Sequence, residues 1–102
     1  MKINYKIRID DNVLSYLEKK KRKVITLTIN KSGGGCCPTI EVYDIDLNQP
    51  SNIEFYNKFE IDDVTVFVNK IARVTAPILR FSLQKSLFVS SIIPSGLSLK
   101  GH

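Results

Sequence analysis

The sequence predicts an α+β fold, a mainly antiparallel β-rich domain with one short N-terminal helix, and three observations carry that prediction. Apolar residues recur with period two through most of the chain, the period of a half-buried strand. One stretch, "RIDDNVLSYLEKKKRK", breaks this rhythm and sets Val13, Leu14 and Leu17 at helical spacing. The 102 residues, 43% hydrophobic and 25% charged, suffice for one hydrophobic core but not for two. A single domain over 1–102 is expected, with about six strands, a core within about 3–93 and a frayed tail over 94–102.

The first strand is "INYKIRI", where Ile3, Tyr5, Ile7 and Ile9 alternate with Asn4, Lys6 and Arg8. Asp10 or Asp11 can cap the helix that follows, and the cations of "EKKKRK", residues 18–23, complement its C-terminal dipole. "VITLTIN" sets Ile25, Leu27 and Ile29 on one face. "TIEVYDIDL" starts with Ile40 and Val42 inward, then switches to Tyr43, Ile45 and Leu47, so a bulge is expected near Val42 or Tyr43.

The next strand sets Ile53, Phe55, Phe59 and Ile61 on one face, with Asn57 among them. Asp62 and Asp63 form a tight turn into "VTVFVN", where Val64, Val66 and Val68 share a face. "KIARVTAP" reads as a helical turn or a crossover ended before Pro77. "ILRFSLQKSLFVSSII" supplies one or two further strands, with Leu79, Phe81 and Leu83 on one side.

The N-terminal residues lack the unbroken apolar run of a signal peptide, and no stretch is long enough to span a bilayer. Two adjacent cysteines cannot staple distant parts of a fold as the bridges of secreted proteins do. A cytoplasmic protein with no membrane partner is expected. The formal net charge is +5, and "EKKKRK" could attract nucleic acid. It lacks interleaved aromatics and is read as a solvated helix end, so no nucleic-acid partner is expected.

The chemistry concentrates in "NKSGGGCCPTIEVY", residues 30–43, which holds both cysteines of the chain. Neighbouring Cα atoms lie about 3.8 Å apart, short of the ~4.4 to 6.8 Å of ordinary disulfides, so a Cys36–Cys37 bridge would be strained. Gly33, Gly34 and Gly35 permit positive φ and leave backbone N–H groups open to an anion, which favours thiolate, and Lys31 can assist. Pro38 sets the exit of the expected loop.

As metal ligands, Cys36 and Cys37 fill half of a tetrahedral site, and His102 stands in the tail. A cysteine-only metal or iron–sulfur site therefore needs a second chain, that is, a homodimer. The competing reading makes both cysteines small buried hydrophobes at the rim of the core. The pairs Asp44 with Asp46, and Asp62 with Asp63, read as solvated charge rather than cation sites. Hydrolase, zinc-protease and phosphate-loop motifs are missing from the sequence.

The helix, the Lys-rich exit, "VITLTI", "GGGCC", "EVYD" and "DDVTVFVNK" follow one another in a familiar order. Over about residues 8–98 the chain resembles the small HesB-like family with a Cys-Cys or selenocysteine motif, distant relatives of the A-type iron–sulfur carriers. The resemblance implies a HesB-like fold and a reactive chalcogen at Cys36 and Cys37. Two departures stand out: the tail lacks the further cysteine pair of A-type carriers, and Asp63 replaces an expected turn glycine.

From residues and resemblance together, the expected function is accessory work in iron–sulfur cluster assembly or sulfur handling. Cys36 and Cys37 would be metal ligands or persulfide carriers, the backbone of Gly33, Gly34 and Gly35 would help hold the cofactor, and iron–sulfur or sulfur-transfer proteins would be partners. The alternatives are a thiol redox enzyme with Cys36 and Cys37 catalytic, and a non-enzymatic basic interaction module.

Overall fold

Most of the alternating stretches become strands in a computed structural model that describes residues 5–34 and 37–99, and of residues 32–34 and 37–39 the backbone alone. In chain order the elements are β1 (Lys6–Ile9), α1 (Asp11–Lys20), β2 (Val24–Gly34), β3 (Cys37–Asp46), β4 (Tyr56–Ile61), β5 (Val64–Asn69), β6 (Arg73–Val74), β7 (Ile78–Lys85), β8 (Ser90–Ser95) and β9 (Leu97–Ser98). They form three sheets, ordered β1-β7-β8, β3-β2-β5-β4 and β6-β9. The described residues thus hold nine strands, not about six. The count rises because β6 and β9 are two residues each, too short to carry a periodic signal, and because residues 78–95 fold back on themselves as two strands.

Pairing is antiparallel except where β1 meets β7 and β2 meets β5. Both exceptions join segments far apart in sequence, as parallel pairing requires. One buried cluster ties the two larger sheets together: Ile9 of β1, Val13 and Leu17 of α1, Ile25 and Leu27 of β2, Val64, Val66 and Val68 of β5, Leu79 and Phe81 of β7, and Ile92 of β8. Among the described residues no helix is long and apolar enough to cross a membrane.

The helix buries Val13 and Leu17 and ends where Lys21 turns left-handed, φ 58°, and Arg22 N–H reaches the Leu17 carbonyl at 2.9 Å. Asp10 occupies the N-cap position without a side-chain cap. Its carboxylate instead takes Arg80 of β7 in two parallel bonds of 2.8 Å, Nε to Oδ1 and Nη2 to Oδ2.

Four expectations need correction. The bulge does not sit at Val42 or Tyr43: Thr26 through Ser32 pair in unbroken register with Asp46 through Ile40. The shift comes between Ser32↔Ile40 and Gly34↔Cys37, where β3 runs one residue longer than β2, through Pro38. Proline has no N–H for the ladder, so the irregularity falls there. Alternation along β3 is therefore continuous: Ile40 and Val42 are exposed and Glu41 is buried.

Ile53 and Phe55 are not on a strand either. They form a single 3₁₀ turn, Ile53–Phe55, and lie exposed, because β5 ends at Asn69 opposite Tyr56 and leaves them no partner strand. Asn57, on the apolar face of β4, stands near the Tyr5 hydroxyl, whose pKa burial raises and Asn57 partly lowers.

The tail expected over 94–102 carries strands as far as Ser98. Pro94 is buried in β8, an edge strand where a missing N–H is tolerated, and Gly96 turns the chain into β9. Its φ of 103°, with a would-be Cβ only 2.6 Å from the Ile78 carbonyl oxygen, leaves room for glycine alone. The stretch "KIARVTAP" holds the two-residue β6 rather than a helical turn, and as the crossover alternative had it, it carries the chain from β5 of one sheet to β7 of another.

Candidate functional site

The β2–β3 hairpin is the longest arm of its sheet, and β-branched residues from Val24 to Ile29 anchor it in the core. Toward its tip the apolar face gives way to Lys31 opposite Glu41, then Ser32 opposite Ile40, then Gly34 opposite Cys37. The glycines and cysteines are therefore distributed differently from a free loop. Gly33 and Gly34 belong to β2 and Cys37 opens β3, so both strands continue to the tip. Gly35 and Cys36, between the paired Gly34 and Cys37, lie outside the described residues, as does His102. The expected accessibility of the two thiols falls outside the described side chains.

Behind the tip lies a feature that the sequence reading missed. Glu41, four residues after Cys37, has its side chain only 6% exposed and accepts Arg73 Nη2 of β6 at 2.8 Å. A carboxylate leaves water at high cost unless it is paired, so this contact fixes β3 against the β6–β9 ribbon. The signal was present in the sequence: Glu41 is in phase with Tyr43, Ile45 and Leu47, and unbroken alternation carries it inward.

The acidic pairs are placed as solvated charge. Asp44 and Asp46 are exposed on β3, and Asp46 Oδ1 accepts both the backbone N–H and the side-chain amide of Asn48. Asp62 and Asp63 occupy the β4–β5 turn with φ of 50° and 66°. Among the described residues no three His, Cys, Asp or Glu side chains gather to hold a metal ion. The run 18–23 closes α1, with Lys20 over the Tyr16 ring at 5.6 Å and Arg22 donating to Asn48 Oδ1 at 3.1 Å. An open groove of about 670 Å³ lies beside that helix end, between Tyr16, Lys20 and Arg22 on one side and Tyr43 and Ile45 on the other.

The hairpin thus stays paired as far as Gly34 and Cys37, with the ion pair of buried Glu41 and half-exposed Arg73 farther down β3. The family model described as the CC/Se motif containing family matches residues 5–97. No curated protein and no solved structure matches the chain. The match covers nearly the whole chain, and the chain belongs to that family.

Proposed function

We propose that this member of the CC/Se motif containing family is an accessory protein for sulfur or iron–sulfur species, with Cys36 and Cys37 as its working groups. The observation that supports this reading is the placement of the motif where two strands meet, with Gly34 and Cys37 still paired. A site that hands its load to a partner works best on regular secondary structure, which the paired strands supply up to Gly34 and Cys37. The more distant HesB-like relationship belongs to this proposal as well.

The donor set sets the stoichiometry. Two thiolates fill half of a tetrahedral centre, so a cluster held by cysteine alone fits two chains and not one. In persulfide transfer one chain suffices: a thiolate attacks the outer sulfur of a donor persulfide, and the donor leaves as its own thiolate. The sulfur moves with its oxidation level unchanged.

Anaerobic incubation with ferrous iron and sulfide, followed by sedimentation, tests the cluster arm. The expected product is a coloured dimer, lost in Cys36→Ser and Cys37→Ser while the apo fold persists. A coloured monomer overturns the shared site. If no colour forms and the thiols instead reduce an added disulfide or peroxide, the protein is a thiol redox enzyme, one cysteine attacking and its neighbour resolving. The selenium in the family's description favours that second reading, since a chalcogen position open to selenium is a reactive one.

A further inference from the structure

The tip of the β7–β8 hairpin exposes Leu87 at 92% and Phe88 at 95%, with Val89 exposed beside them. Three consecutive large apolar residues left in water oppose the usual burial of such side chains. The turn that carries them is well closed: Lys85 pairs with Ser90, and Ser86 donates both its N–H (2.8 Å) and its hydroxyl (3.0 Å) to the Val89 carbonyl. Phe88 and Val89 share a groove of about 520 Å³ with Lys85 and with Lys19 and Lys20 from the last turn of α1, and no acidic residue lines it. Part of the cationic run 18–23 is therefore gathered beside the apolar tip by the fold.

We propose that this tip docks the protein on an anionic lipid surface, Leu87, Phe88 and Val89 entering the acyl boundary while Lys19, Lys20 and Lys85 meet headgroup phosphates. An apolar apex behind a cationic shoulder is the pattern of interfacial membrane binding, in which burial and charge attraction add. Side chains that fan out from a tight turn suit a fluid medium without fixed shape. A second copy fits less well, because a two-fold contact through this tip brings lysine against lysine. The proposal is independent of the thiol chemistry and needs no membrane-spanning segment.

The chain has no tryptophan, so Phe88→Trp places a single reporter at the apex. With vesicles of equal parts phosphatidylcholine and phosphatidylserine its emission should shift to the blue, and with phosphatidylcholine alone it should not. The unmodified protein should sediment with the anionic vesicles. Leu87→Ser with Phe88→Ser should weaken this at least about tenfold, and each lysine changed to glutamine should weaken it by about fivefold at low salt. Circular dichroism of each variant should match that of the unmodified protein, since the changed residues are exposed. Failure to bind the anionic vesicles overturns the proposal. So does binding that the double serine variant retains, which is charge adsorption only. A blue shift that grows with protein concentration in the absence of vesicles overturns it in favour of self-association, and one that needs an acidic polypeptide overturns it in favour of a protein partner.

Discussion

Glu41 and Asp10 show how differently two carboxylates work in one small domain. Glu41 is buried and its Arg73 partner is 47% exposed, so truncating the arginine takes one charged contact away from a desolvated carboxylate. Arg73→Ala should lower stability by about 1–3 kcal/mol. Lys58→Ala, which breaks the exposed 3.5 Å pair with Glu60, should change it by less than about 0.5 kcal/mol, and urea denaturation of both variants separates the two cases. Asp10 differs in that its hydrogen bonds from Arg80 hold the carboxyl below its ordinary value. The folded state therefore binds the proton less readily than the unfolded chain. The stabilisation is full above the ordinary carboxylate range and is lost as pH falls through the lowered value. Asp10→Asn should flatten the acid limb of a thermal-stability profile taken from about pH 5 to about pH 2, and leave its neutral limb parallel to that of the unmodified protein.

At the scale of elements, turns decide more than propensities do. The β4–β5 hairpin pairs Ile61 with Val64 across Asp62 and Asp63, both left-handed, which is the two-residue turn whose second position favours glycine. Aspartate tolerates this conformation better than most residues but not without cost. Asp63→Gly should raise the urea midpoint, by about 0.5–1 kcal/mol of stability, without altering the slope. A lower midpoint would mean that the Asp63 side chain makes a contact that outweighs the backbone strain. Pro38 acts in the opposite sense, interrupting the ladder of β3 one residue after Cys37 and so placing the irregularity beside the motif.

The whole molecule depends on β7, which pairs with β1 on one side and β8 on the other while presenting Leu79 and Phe81 to the shared cluster. If both larger sheets belong to one cooperative unit, Phe81→Ala should remove about 3–5 kcal/mol, a large part of a typical domain's stability. Fluorescence and circular dichroism should then report a single, coincident transition. Two separated transitions would divide the chain into independent units and refute the single-domain expectation.

Local spacing alone determined the helix with its Val13 and Leu17 face, the β4–β5 turn, and the inward sets Ile25–Leu27–Ile29 and Val64–Val66–Val68. It also singled out Cys36 and Cys37 as the proposed chemical centre, since a glycine triplet before paired thiols is visible without a fold. Such features depend on neighbours three or four positions away at most, and periodicity reports them. Tertiary structure decided the rest. The parallel pairing of β1 with β7 and of β2 with β5 joins segments about 40 to 70 residues apart. The same long-range closure gave Glu41 its Arg73, gave Asp10 its Arg80 in place of a cap, stranded Ile53 and Phe55 beyond the end of β5, and brought Lys19 and Lys20 beside the Leu87–Phe88 tip. The physical reason is common to all of them: a residue's partner across the core is chosen by how distant strands register, and alternation along one strand carries no information about that register.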